Sequence, residues 1–306
     1  MRRFSLPLAL TTVGLSLAMS CVNVAMAQSK GWTFPENNNG VIQAQTKGGV
    51  PADTGKVKIA FFGHMAFRVT SPRGVKVLID PWRNDPSTAW GLWFPKEFPP
   101  TYTDIVLSTH AHFDHDAVEK PHANMVLERM AGTFELGDVK ITGWADKHMC
   151  EAQGWYKWTN ALAEFGANAC PPDNPMHMDN VIYIIETGGM RIAHWGDNRP
   201  VPAEHVLKEL EGVDVLIMNI DGSQHILSYS NIQAALKRIK PHAIIPAHYL
   251  THGASLTLTT LQTADEWVDR HGNAVKLDTA EIELQASDLK SMNERVMYFG
   301  SHYLKE

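Results

Sequence analysis

Residues 109–116 read Thr-His-Ala-His-Phe-Asp-His-Asp (THAHFDHD), three histidines and two aspartates in eight positions. The spacing His110-x-His112-x-Asp114-His115 is rare by chance: this composition predicts roughly 0.002 occurrences in a chain of this length. A polar, solvated loop is the plain alternative, but the rest of the chain supplies partners for a site. Immediately before it, Asp104-Ile105-Val106-Leu107-Ser108 is nearly all apolar and reads as a strand buried on both faces. The metal-philic side chains therefore hang from the carboxyl end of a core strand.

Working outward, short β-rich runs at 57–62, 66–69 and 75–79 are broken by Gly63 and by Pro72-Arg73-Gly74, the pattern of an antiparallel meander. Further strands are expected at 139–143, 181–186, 191–195, 214–219 and 243–247, with helices over 202–211, 230–240 and 258–270. Ser230 and Gln233 have the spacing of a capping box for the second helix. Strands first, then strands alternating with helices, point to two β-sheets flanked by helices. His177 precedes one expected strand, Asp197 follows a second in Trp195-Gly196-Asp197, and His248 follows a third in Pro246-Ala247-His248. Separate strand ends each delivering an imidazole or carboxylate suit zinc first, with manganese or iron as alternatives.

The order HxHxDH, a lone His, Gly-Asp and Pro-x-His, preceded by Gly63-His64 and Ile79-Asp80-Pro81, resembles the metallo-β-lactamase superfamily over residues 57–250. Within it, the pattern is similar to the branch holding ascorbate-6-phosphate lactonase and the phospholipase D that acts on N-acyl ethanolamine lipids. The resemblance implies a four-layer αββα sandwich and two divalent ions. It implies His110, His112 and His177 at one position, Asp114, His115 and His248 at the other, and Asp197 between them. His148 and His194 compete with His177 for the third imidazole place. Asp80 matches a strand-end aspartate expected to accept the second N–H of a ligand imidazole, and His64 lies beside it in the pattern.

Composition bounds the rest. Residues 1–27 carry Arg2 and Arg3, an apolar run from Leu6 to Met19 and Ala25-Met26-Ala27, and read as a cleavable export signal. Pro7, Thr11, Thr12 and Gly14 interrupt the run too often for a membrane span. Cleavage leaves 279 residues, and losing two arginines takes the formal charge from −6 to −8. An acidic chain without a basic run argues against nucleic acid. A polar arm over 28–55 precedes one hydrolase-type domain over 56–306, in a periplasmic or secreted protein. Cys150 and Cys170 are then expected to pair, bracing the loop of His177. No heptad or continuous apolar face announces a partner chain.

The expected chemistry is hydrolysis by metal-activated water of an ester, lactone or phosphodiester, with Asp114 and His225 in catalytic roles. No Gly-x-Ser-x-Gly elbow offers a nucleophile. His225 is the proposed acid or oxyanion-binding group, with Tyr249 and His64 as rivals. Six of the nine tryptophans fall in two stretches (Trp82, Trp90, Trp93; Trp144, Trp155, Trp158), which suit an aromatic or lipid-like small-molecule substrate or simply loop packing. Arg68, Arg83, Lys147 and Arg199 are candidate anion contacts. A di-iron redox protein, a non-catalytic metal binder and a β-lactam hydrolase are the competing readings.

Overall fold

The computed structural model describes residues 54–86, 92–149, 179–251 and 261–304. Val57, Ile59, Phe61, Phe67, Val69, Val77 and Ile79 are fully buried, which the alternating apolar pattern requires of a sheet with one covered face. They form β1 (Val57–Phe61), β2 (Phe67–Thr70) and β3 (Lys76–Ile79), an antiparallel meander as expected. β4 (Tyr102–Ser108) then joins β3 in parallel, and every residue after Tyr102 is buried. β5 (His122–Glu128) closes that side of the sheet, and β13 (Glu281–Leu284) pairs with β1 at the other. The order of this six-stranded sheet is β13-β1-β2-β3-β4-β5.

The second sheet begins with β6 (Gly132–Leu136), β7 (Val139–Lys147), β8 (Asp179–Thr187) and β9 (Met190–His194), all antiparallel. It continues in parallel through β10 (Val215–Asn219), β11 (Ala243–Ala247), β14 (Arg295–Tyr298) and β12 (Ala274–Lys276). Parallel neighbours need crossovers, and α1 (Glu204–Leu210) and α2 (Tyr229–Ile239) supply them. α2 buries Ile232, Ala235, Leu236 and Ile239, one stripe at helical spacing. Two shorter helices follow, α3 (Asp265–Arg270) and α4 (Ala286–Leu289). Among the described residues no helix is long and apolar enough to cross a membrane.

Three local readings change. The cap of α2 is Ser228, not Ser230: its side chain accepts from Asn231 N, and Ser230 Oγ sits 2.9 Å from Ser228 Oγ. β7 does not stop at Gly143. A Cβ there would stand 1.8 Å from the Met130 carbonyl oxygen, so the glycine permits a close approach inside a continuing strand. The helix expected over 258–270 is helical only from Asp265, and 252–260 lie outside the described residues. The short strands β5, β6, β12, β13 and β14 were not expected from the sequence; β5 alternates between exposed and half-buried along its length, as an edge strand does.

Candidate metal centre

The carboxyl ends of β3, β4, β9, β10 and β11 open toward one another, and side chains just beyond them converge. The Thr109–Asp116 loop is tied down at its root by Asp80, which is fully buried. Thr109 N donates to Asp80 Oδ1 (2.7 Å), and Thr109 Oγ1 donates to Oδ2 (2.8 Å). His115 Nδ1 lies 2.9 Å from the same Oδ2, which fixes Nδ1 as the donor and turns Nε2 inward. Main-chain bonds then join the loops across the sheets: Val181 N to Thr109 O, Met149 N to Asp197 O and His248 N to His64 O, each 2.8–2.9 Å.

Asp197 is the hub. Its Oδ2 lies 3.2 Å from His248 Nε2, 3.4 Å from His115 Nε2, 3.5 Å from His148 Nε2 and 3.9 Å from His110 Nε2. Two neighbourhoods share this carboxylate. In one, His110, His112 and His148 pack with ring centroids 4.6–4.8 Å apart. In the other, His64, Asp114, His115 and His248 bring one donor atom each within 4.8 Å of the rest. His64 Nε2 bonds Asp114 Oδ2 at 3.0 Å. Three of these residues hold their backbones in the left-handed region, His64, Asp80 and His248, at φ 56°, 52° and 57°. Each costs about 1–2 kcal/mol, a strain concentrated where side chains must be aimed.

The donor chemistry fits divalent cations. His115 Nε2 and both ring nitrogens of His248 are buried without an aligned hydrogen-bond partner, although Asp197 Oδ2 is close. Burial, then neighbouring imidazoles, lowers His110 well below its ordinary range and brings His112 and His64 to about 4, so these rings are neutral and ligand-ready. His115 and His248 go the other way. Burial opposes their charge, but Asp197 above all, joined by Asp114 and, for His115, by Asp80, raises both. Against the opposing effect of burial, Asp114 is held well below the carboxylate range by His115 and then His64, and Asp197 by His248 and then His115. Cationic imidazoles thus stand where a metal ion would neutralise the carboxylates. Loading must expel those protons, so acid competes with metal. The expected result is a net release of protons on loading near neutral pH, and affinity that falls on acidification, because both raised imidazoles must be neutral to bind. Calorimetry in buffers of different ionisation enthalpy measures this; loading independent of pH between 5 and 7 would contradict it.

The other expected residues separate clearly. His148 stands at the end of β7 with Nδ1 2.6 Å from the Met149 carbonyl and Nε2 toward Asp197. His177, Cys150 and Cys170 lie outside the described residues, as do Trp90, Trp155 and Trp158. His194 is turned away, its Nε2 bonded to Met65 O at 3.0 Å. Tyr249 gives its hydroxyl to Gly300 O, a packing role. His225 lies parallel to His248 with centroids 5.9 Å apart, on a turn built by Asp221, which accepts from Ser223 N and His225 N. Burial and then His248 lower His225 to about 3. The four candidate anion contacts are all engaged: Arg68 with Glu281, Arg83 with Asp116 and Glu119, Lys147 with Asp179, Arg199 with Asp146. Trp82 stacks on Phe94 at 4.0 Å and bonds Phe62 O, so it packs the core; Trp93 meets Phe113 edge-on at 5.1 Å.

From the sequence His148 was only a rival of His177, and Asn219 and Asn180 were not singled out. His148 had a usable signal, because it ends a strand by the same rule that found Asp197 and His248. Asn219 and Asn180 had none.

Two mixed sheets with an HxHxDH loop and a shared aspartate at their open edge define a metallo-β-lactamase fold. Residues 58–248, more than half of the chain, match the family model described as a β-lactamase superfamily domain, and the chain belongs to that superfamily. Among similar proteins, the UPF0173 metal-dependent hydrolase of Myxococcus xanthus (strain DK1622) is 27% identical over 217 residues, covering 68% of this chain and 76% of its own. That of Thermococcus onnurineus (strain NA1) is 28% identical over 214 residues, covering 64% and 85%. A solved structure from Thermotoga maritima, assigned to the metallo-β-lactamase superfamily, superposes with a TM-score of 0.55 at 20% identity, covering 79% of this chain and 97% of that one.

Proposed function

We propose that this metal-dependent hydrolase holds two divalent ions, zinc first and manganese or iron as alternatives, and cleaves an ester, lactone or phosphodiester in a small molecule. His110, His112 and His148 would hold one ion, Asp114, His115 and His248 the other, with Asp197 shared. The observation that carries the reading is the convergence of four imidazoles on Asp197 Oδ2. When bound, the ions supply Lewis acidity and an activated water at neutral pH. The chain's own residues do the rest. Asp80 fixes the tautomer of His115, His64 orients Asp114, and His225 is placed beside His248 to meet a substrate oxygen through its ring N–H. The aspartate and Gly-His pattern supports the branch resembling ascorbate-6-phosphate lactonase and the N-acyl ethanolamine phospholipase D.

The test is metal content per chain with turnover of a panel of esters, lactones and bis-phosphodiesters, for wild type, His148→Ala and His177→Ala. Two ions and chelator-sensitive turnover are expected for wild type. His148→Ala should keep about one ion and lose turnover on the order of 100-fold or more, since a catalytic ion needs three protein ligands. His177→Ala should resemble wild type. The reverse pattern would return the third imidazole to His177, and a wild-type chain without metal would defeat the whole reading.

A further inference from the structure

Asn219 ends β10, paired in register with Ala247, so its side chain comes beside the Asp197 and His248 loops. Its Nδ2 donates to Asp197 Oδ1 at 2.7 Å, the orientation an acceptor-only carboxylate demands. The four imidazoles that converge on Asp197 all approach the other oxygen, Oδ2. The backbone is tied too: Asp197 N donates to Asn180 Oδ1 at 3.1 Å. Asn219 is 1% exposed, and its own Oδ1 has no hydrogen-bond partner among the described residues. A buried amide with an unsatisfied carbonyl is a poor choice for stability alone, since an apolar residue of similar size would avoid the penalty.

We propose that Asn219 is a positioning residue that occupies Asp197 Oδ1, so that the shared carboxylate meets both metal positions through Oδ2 alone. This rests on the two-ion reading of the site. Without the amide, the carboxylate is free to rotate about its terminal torsion, which is broad for an aspartate. It can then present both oxygens to one position and desert the other. The amide therefore acts through Asp197 and touches neither substrate nor metal.

The experiment is competitive chelator titration with zinc on purified wild type, Asn219→Leu and Asn219→Ala, with a thermal melt of each stripped protein. The expected result is a loss of 10–100-fold in affinity for at least one ion, the range for residues that orient ligands. The stripped Asn219→Leu protein should melt close to wild type, because the lost bond to Asp197 is offset by removal of the unsatisfied carbonyl. In an Asp197→Ala background, Asn219→Leu should change zinc affinity less than two-fold, since its partner is gone. Asn219→Ala serves the same comparison if the leucine variant does not fold. Wild-type zinc affinity in a folded variant overturns the role, as does an equal loss in the Asp197→Ala background. A wild-type protein that binds no divalent ion overturns the two-ion reading itself and this inference with it, a distinguishable outcome.

Discussion

If the site holds the two proposed ions, replacing Asp197 by alanine is expected to leave at most one weakly held ion and to lower turnover by two to four orders of magnitude. Its Oδ2 is within 3.2–3.9 Å of His248, His115, His148 and His110, so both halves of the cluster lose their common acceptor. Removing one partner from a buried charge cluster costs about 3–5 kcal/mol, which corresponds to that range in rate or affinity. There is a second consequence. Asp197 is the leading group that raises His115 and His248 above their ordinary range. Without it these rings shed their protons more readily, so any residual metal loading should release fewer protons at neutral pH than in wild type. Metal analysis and kcat/KM on a responsive substrate decide the matter. Two tightly held ions with turnover within ten-fold of wild type would show that Asp197 is not the shared ligand.

Gly196→Ala is expected to be strongly damaging although it adds only a single methyl group. Gly196 has φ +60°, and a Cβ there would stand 2.5 Å from Asn180 Oδ1, 2.8 Å from Thr109 Cβ and 2.9 Å from Thr109 Oγ1. Neither neighbour is a flexible tip. Asn180 is buried and bonds Asp197 N, Trp195 O and Asn198 Oδ1, while Thr109 is bonded to Asp80. The left-handed backbone costs a non-glycine residue about 1–2 kcal/mol, and overpacking adds about 1–3. Together these should lower the melting temperature by roughly 5–15 °C for a domain of this size. The residue also carries Asp197, so zinc affinity should fall in parallel. A melt within 2 °C of wild type, with unchanged zinc binding, would mean that the turn relaxes at no cost.

Much of the site was legible because its chemistry is local. His110, His112, Asp114 and His115 sit within six positions, and their residue types admit few roles other than metal binding. Asp197 and His248 could be placed because buried strands announce themselves by unbroken apolar runs, and a polar residue just past such a run must face the open end of a sheet. His148 stood behind His177 for a specific reason: Gly143 looks like a strand end, and only the close passage of the Met130 carbonyl shows why the strand tolerates it and continues to Lys147. The four cations offered as anion contacts failed for a complementary reason. Their partners, Glu281, Asp116, Asp179 and Asp146, are set by folding, and all four lie more than thirty positions away in the chain.

By itself, then, the order of residues determined the class of fold, the metal-type chemistry and the loop that carries it, because side-chain periodicity and donor type are properties of short segments. Tertiary structure alone decided which atoms meet. It selected Oδ2 of Asp197 as the point where four imidazoles from three loops converge, left Oδ1 to Asn219, bonded His194 to Met65 and brought His148 beside His110. Those choices depend on strand register and main-chain bonds between distant loops, and a difference of one residue in register would move every one of them.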